Sequence, residues 1–393
     1  MNVEHTRKVM KLAGEALDLG PTQQRRFLQE QTENNPALYR DVLSLMQAYD
    51  QTLDFLDAPF FQGNPGHEPD CLQLLEKPAR KEEPVPNSLG PYRVSRKLGS
   101  GGMGHVYLAS LANSDKSFAI KVLKQGAVPG ADACLERECR VLSSLRHPNI
   151  VRYLGAENLA DYGNCLFTEY IDGPTITQYC QNERLPLRMR LKLLADVCRG
   201  VAYLHKKGWL HGDLKPANIL IKLNNGTPIP KIIDFGIAFK PGELERPMMG
   251  SPAYLSPEAL MAAADGSPID RRSDVFSLGI LFRQLLLGED ASISSNPCEV
   301  RQEPAVAFSS FTHSQKMDIA WCLNTSVTQL AQFFQGPASA IMMKACAVER
   351  DRRYASVPAL LSSLERFLGK RKPRLSMNWM KQPFSMPLAG ALC

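Results

Sequence analysis

His211-Gly212-Asp213-Leu214-Lys215-Pro216-Ala217-Asn218, followed sixteen residues after its asparagine by Asp234-Phe235-Gly236, decides how the rest of the chain is read. Asp213 and Lys215 place a proton acceptor and a cation two positions apart, and Asn218 and Asp234 add hard oxygen donors. Phosphoryl transfer asks for these residue types. The protein makes few covalent bonds in such a reaction; it supplies an acceptor for a hydroxyl proton, positive charge for the migrating group and oxygen ligands for magnesium.

Upstream, Leu98-Gly99-Ser100-Gly101-Gly102-Met103-Gly104-His105-Val106-Tyr107 lies between two apolar alternating segments, Tyr92 to Lys97 and Val106 to Leu111, which read as hairpin strands. Glycines there let backbone amides approach a polyphosphate closely. The Gly99/Gly101/Gly104 spacing alone also fits a dinucleotide-binding turn or a plain tight hairpin. A dinucleotide site needs the glycines to open a helix after a strand, whereas Gly104 runs straight into another strand, His105 to Ala109. Further on, Phe118 to Leu123 carries a single lysine, Lys121, inside an apolar strand. A buried lysine is costly unless paired. Its natural partner is Glu138, in a helical segment spanning Leu135 to Leu145.

Together these motifs resemble those of the eukaryotic-type serine/threonine protein kinases of bacteria, a specific set that occurs here in the family's order from Gly90 to Gly369. The resemblance implies a two-lobed α+β fold: a small β-rich lobe with one key helix, a larger α-helical lobe, and ATP in the cleft between them. It implies that Asp213 is the catalytic base with Lys215 beside it, and that Lys121, paired with Glu138, holds the α- and β-phosphates. Asn218 and Asp234 would bind magnesium, with manganese as an alternative. Nucleotide contacts would come from Leu98, Gly99, Ser100, Gly101, Gly102 and Gly104, from Val106, Ala119 and Leu220 around the adenine, and from the backbone between Glu169 and Ile171. Thr168 would stand at the gatekeeper place. The implied acceptor is Ser or Thr of protein substrates, the chain itself included, because Lys215 marks that branch. An ATP-binding pseudokinase would have lost Lys121, Asp213 or Asp234, and none is lost. A small-molecule kinase would lack the peptide-seating platform that Gly250 to Glu258 resembles.

The same resemblance makes Asp274 the aspartate that braces the catalytic loop through backbone amides, makes Arg353 the partner of Glu258, and packs His211 under Phe235. Ser251 and Ser256 stand where the family more often has Thr and Ala. One departure bears on control. Most relatives place an arginine before the base to clamp a phosphate on the activation loop; here that residue is Gly212, and Ile237 to Met249 contains no Ser, Thr or Tyr. Receptor and acceptor are missing together, which favours a loop ordered without phosphorylation over a merely tolerated glycine.

With 393 residues, the chain divides into a helical leader (1–59), a linker (60–89), the catalytic domain (90–369) and a basic, flexible tail (370–393). Hydrophobic content of 44% and charged content of 22% are globular values. The net charge of +6 is modest and no aromatic-interleaved basic stripe occurs outside the tail, so nucleic-acid binding is not indicated. Ten scattered cysteines without C-x-x-C pairs fit reduced thiols. No signal segment and no run of about eighteen apolar residues is found, so a soluble, cytoplasmic enzyme is expected. In the leader, Val9, Leu12, Ala13, Ala16 and Leu17 form one stripe, Thr22 caps a second helix with Phe27 and Leu28, and Asn35-Pro36 starts a third with Leu38, Val42, Leu45, Met46 and Tyr49. Whether the leader packs on the catalytic domain or recruits a partner is open. The Pro- and Gly-rich linker implies few contacts across it and hence a catalytic domain that folds without the leader.

Overall fold

Strand pairing begins the catalytic domain. β1 (Ser88–Leu89), β2 (Tyr92–Ser100), β3 (Gly104–Leu111), β4 (Ser117–Leu123), β5 (Tyr153–Leu159) and β6 (Gly163–Glu169) form one antiparallel sheet in the order β1-β2-β3-β4-β6-β5. This computed structural model describes residues 8–9, 12, 16, 21–32, 35–43, 46, 84–100, 104–111, 116–124, 130–243, 251–265, 268–287 and 312–369. Side chains alternate across the sheet: Tyr107, Ala109, Ile120, Val122, Cys165 and Phe167 fill a core on one face, leaving Val106, Ala119, Lys121, Leu166 and Thr168 for the other. Register sets that second row, pairing Val106 with Lys121, Lys121 with Leu166 and Ala119 with Thr168.

The first hairpin strand runs three residues beyond its predicted end, pairing Gly99 with Val106 and Ser100 with His105. Gly101 and Gly102 lie outside the described residues. The helix carrying Glu138 is α2 (Ala131–Ser143), four residues earlier at its start than the apolar pattern predicts. Its first turn is polar, with Asp132 suited to the helix N-terminus, so the periodicity becomes visible only at Leu135.

The larger lobe holds α3 (Ile176–Asn182), α4 (Leu187–Lys206), the hairpin β7 (Ile219–Asn224) and β8 (Thr227–Ile232), α5 (Pro257–Asp265), α6 (Arg272–Leu287), α7 (His313–Cys322), α8 (Val327–Phe334), α9 (Pro337–Ala345) and α10 (Val357–Gly369). Every residue of α6 from Ser273 to Leu287 is buried, so it is the axle on which the other helices pack. Gly279 permits the approach of α9: a Cβ there would lie 2.6 Å from Cys346 Sγ and 2.9 Å from Ala345 Cβ. Among the described residues no helix is long and apolar enough to cross a membrane.

The leader contributes α1 (Pro21–Thr32) and a helical stretch over 36–43. Thr22 is not the cap that its type suggested: the helix already includes Pro21, whose fixed φ suits a first helical position, so Thr22 lies inside the first turn. Asn35 does cap the following helix, its Oδ1 accepting from the Leu38 amide at 3.0 Å. Val9, Leu12, Ala16, Leu28, Leu38, Val42 and Met46 close into one apolar cluster with Leu260 and Met261 of α5. The expectation of few crossing contacts is therefore corrected. Linker composition governs only the covalent connection, whereas the leader's stripe needs an apolar partner and α5 presents one. Ala13, Leu17, Leu45, Tyr49 and the basic tail lie outside the described residues.

Candidate active site between the lobes

Three charged side chains meet where β4, α2 and the segment after β8 converge. Lys121 Nζ lies 2.7 Å from Glu138 Oε2 and 3.4 Å from Asp234 Oδ1. The lysine is mostly covered, and burial opposes its charge; Asp234 and Glu138 outweigh that cost and hold the ammonium above its ordinary value. Asp234 shows the complementary effect: burial would raise its carboxyl, but Lys121 and the Gly236 amide hold it well below the usual range. Burial pulls Glu138 upward even against Lys121. Two carboxylates thus share one buried cation, a fixed positive point at the back of the cleft.

The residues of the loop between α4 and β7 form a second cluster. Asp213 is 8% exposed; its Oδ2 lies 2.9 Å from Lys215 Nζ and accepts from Asn218 Nδ2 at 3.0 Å. Asn218 Nδ2 also donates to the Asp213 carbonyl at 2.8 Å, which turns its amide oxygen away from Asp213. Both nitrogen–oxygen contacts steady the carboxylate in one orientation. Ser251 joins them: its amide donates to Asp213 Oδ1 at 2.8 Å, and its hydroxyl accepts from Lys215 Nζ at 2.6 Å. Sequence reasoning placed Ser251 only at the end of the activation segment; the hydroxyl flanked by Gly250 and Pro252 was the one available signal.

The loop is held from beneath by α6. Asp274 Oδ2 accepts from the His211 amide at 2.9 Å, and its Oδ1 accepts from the Gly212 amide at 3.0 Å. His205 Nε2 lies 2.6 Å from Asp274 Oδ2, a partner the sequence did not disclose. Burial would raise the Asp274 carboxyl, but His205 holds it below its ordinary range. Gly212 takes φ +80°, where a Cβ would stand 3.2 Å from Phe239 Cε1. Glycine removes the strain of that left-handed turn. His211 packs against Phe235 with ring centroids 5.1 Å apart, and burial keeps its imidazole below the ordinary histidine value.

Leu98, Val106, Ala119, Lys121, Glu138, Thr168, Glu169, Ile171, Asn218, Leu220 and Asp234 line one cleft of about 700 Å³, open solvent included. Val151, Leu166 and Ile233 complete its apolar walls; as ordinary aliphatics they carry no sequence signal. Such a slot suits a flat ring at the apolar end and phosphates at the charged end. Glu169 forms the corner. Its carboxylate binds Lys231 at 2.7 Å and Lys222 at 3.0 Å and accepts from the Arg152 amide at 3.0 Å. Burial opposes its ionisation, but the two lysines more than offset this and hold it below the usual range.

No group of three or more His, Cys, Asp and Glu among the described residues suits a resident metal ion. Asn218 and Asp234 instead offer two oxygen donors beside the space for phosphates, which fits magnesium, an ion that takes one or two protein ligands and completes its shell with phosphate and water. Away from the cleft, Arg353 donates to Glu258 through both terminal nitrogens, at 2.7 and 2.8 Å, and also to three backbone carbonyls.

The serine/threonine-protein kinase pkn2 of Myxococcus xanthus is 36% identical over 220 residues, 52% of this chain and 25% of that protein. The serine/threonine-protein kinase PknB of Mycobacterium leprae is 29% identical over 293 residues, 72% of this chain and 44% of that protein. This chain thus spans less than half the length of either relative. A crystal structure of the Mycobacterium tuberculosis PknI kinase domain covers 71% of this chain and 97% of its own, with a TM-score of 0.49 at 22% identity. The protein kinase domain model matches residues 92–361, from the first long strand to the last helix, and the chain belongs to that family.

Proposed function

We propose that this chain is a serine/threonine protein kinase that moves the γ-phosphate of ATP to Ser or Thr hydroxyls of protein substrates, its own among them. The observation that carries this reading is the cluster at Asp213, where Lys215, Asn218 and Ser251 fix one carboxylate at the edge of the cleft. Asp213 accepts the hydroxyl proton as the oxygen begins its attack. Lys215, 2.9 Å away, is placed to meet negative charge on the transferring group. Lys121, held by Glu138, positions the α- and β-phosphates, and the backbone from Glu169 to Ile171 meets the adenine edge. Magnesium or manganese bound at Asn218 and Asp234 supplies charge neutralisation to the phosphates.

The same reading makes control independent of activation-loop phosphate. Gly212 has no side chain to receive one, Ile237 to Met249 has no hydroxyl to carry one, and the Ser251 hydroxyl is engaged by Lys215. Free thiols throughout the described residues fit a reducing compartment, and we place the enzyme in the cytoplasm. A partner role for the leader is not part of this reading, because α5 covers its apolar stripe among the described residues.

Single-turnover transfer from labelled ATP to Ser/Thr peptides tests the activity. Asp213→Asn should keep ATP affinity and lose transfer by roughly 10²–10⁴-fold, the worth of a positioned base. A loss below tenfold would contradict the role of Asp213. Enzyme stripped by a broad phosphatase should match enzyme preincubated with ATP to within roughly threefold, since no loop phosphate is needed. A lag abolished by prior ATP, with phosphate mapped to Ser251, would overturn the second claim.

A further inference from the structure

The segment from Ser251 to Met261 is held at three points on its inner side. Ser251 is bound by Asp213 and Lys215. Tyr254 is bound through its hydroxyl to Gln284 and through its carbonyl to Ser277 Oγ, at 2.9 and 2.8 Å. Glu258 is bound by Arg353. On the outer side, among the described residues, the leader supplies the cover: Leu260 and Met261 are 7% and 4% exposed within its cluster, and Leu255 is packed against it. Leu255 lies only four residues beyond Ser251. The segment that grips the base on one face therefore rests on the leader with the other.

We infer that the leader is a built-in positioning element for phosphoryl transfer, holding Leu255, Leu260 and Met261 so that Ser251 stays locked on Asp213 and Lys215. This rests on the reading of those two residues as the transfer machinery. Packed apolar contacts are short-ranged and discrete, so a leader that lets go frees α5 to shift. The nucleotide cleft is built on other elements, β2 to β4, α2, β6, β7 and the segment after β8, and ATP binding does not depend on the leader. Acceptor binding and transfer do. Such an element does the work that a loop phosphate would otherwise do, in a chain that offers neither a hydroxyl in the loop nor a side chain at residue 212.

Val42 tests this. It is fully buried in the leader cluster and far in sequence from the cleft. In full-length protein, Val42→Asp is expected to leave the KM for ATP within about twofold of wild type and to lower peptide kcat/KM by roughly tenfold or more, because a charge cannot remain in that cluster. Hydrogen exchange at the amides of 255–261 should rise together with the loss, while that of β7 and β8 stays constant. Val42→Ile should restore both. If Val42→Asp fails to fold, Val42→Ala and Leu38→Ala provide the graded version, with smaller losses in peptide kcat/KM and unchanged ATP KM. Equal losses for ATP and peptide in the alanine variants would show a merely structural leader and overturn the inference. So would exchange at 255–261 that rises while peptide kcat/KM holds within twofold or increases, the latter marking an inhibitory leader. Wild-type enzyme that binds ATP yet phosphorylates no peptide would overturn the kinase reading beneath it.

Discussion

Replacing Asp274 by Asn removes one oxygen from a carboxylate that has none to spare. Oδ1 serves the Gly212 amide, and Oδ2 serves the His211 amide together with His205. The asparagine nitrogen is a donor and cannot accept from an N–H. Turned towards Gly212, it strands that amide; turned towards His211, it strands that one and forces His205 to present a lone pair. In either rotamer a backbone N–H is left unpaired at a site 2% exposed, which costs about 1–3 kcal/mol. The left-handed turn at Gly212 precedes Asp213 directly, so the cost falls on the placement of the proposed base. Expressed wholly in the transition state, that range is roughly a 5- to 150-fold loss of kcat. ATP affinity should remain within about twofold, because Asp274 does not line the cleft. Single-turnover peptide phosphorylation and a nucleotide titration on the same preparation separate the two. A folded Asp274→Asn enzyme with kcat within twofold of wild type would refute the idea that these two amides set the geometry of the base.

Arg353→Ala should destabilise the fold by about 3–5 kcal/mol in urea, since it leaves the largely buried Glu258 carboxylate without its cation and with the Ser273 hydroxyl still donating to it; a loss under 1 kcal/mol would mean the pair contributes little. Gly212→Arg should cost about 1–2 kcal/mol for forcing a side chain to positive φ, with crowding against Phe239 added, and should not make activity depend on phosphatase treatment. His211, buried and held below the ordinary histidine value, takes up a proton less readily when folded than in the unfolded chain, where it does so near pH 6.5. Its contribution is therefore complete above that pH and falls as pH drops below it, by at most about 1.4 kcal/mol per pH unit. The urea midpoint should fall between pH 6.5 and 5 with a slope that shrinks in His211→Asn; an unchanged slope would exclude His211 as its source.

What the sequence disclosed and what it hid separate along a physical line. Lys121 and Glu138 were legible as a pair because a charge is rarely buried without a partner, and Asp213, Asn218 and Asp234 were legible through their chemical type and the resemblance of their motifs to those of protein kinases, although neither disclosed that Asp234 also meets Lys121 or that Asn218 donates to Asp213. Val151, Leu166 and Ile233 line the same cleft and were not legible, since an aliphatic side chain against a ligand is chemically indistinguishable from one in a core. His205 beside Asp274 depends on how α4 crosses α6, and Ser251 beside Lys215 depends on where the activation segment returns. Both are facts of long-range packing. The leader illustrates the same limit: its stripe announced burial, but only the placement of Leu260 and Met261 on the outer face of α5 says against what.

Glu169 ends the small lobe's sheet, while Lys222 and Lys231 belong to the hairpin of the large lobe. The two halves are thus joined at this corner by a charged clasp, in addition to the Lys121–Asp234 contact at the back of the cleft, and a swing between them that keeps the clasp closed would turn about it. A pivot at the edge proposed for adenine would leave that edge nearly stationary and give a longer lever arm to the parts of the small lobe farther from Glu169. Nucleotide release should then begin at the phosphate end, and the stiffness of the swing should soften as salt screens the more exposed Lys222 contact. Lys231→Met, which removes the better-buried half of the clasp, is accordingly expected to speed nucleotide dissociation in stopped-flow while leaving the KM for peptide in place; an unchanged off-rate would show that the Lys231 contact does not govern nucleotide release.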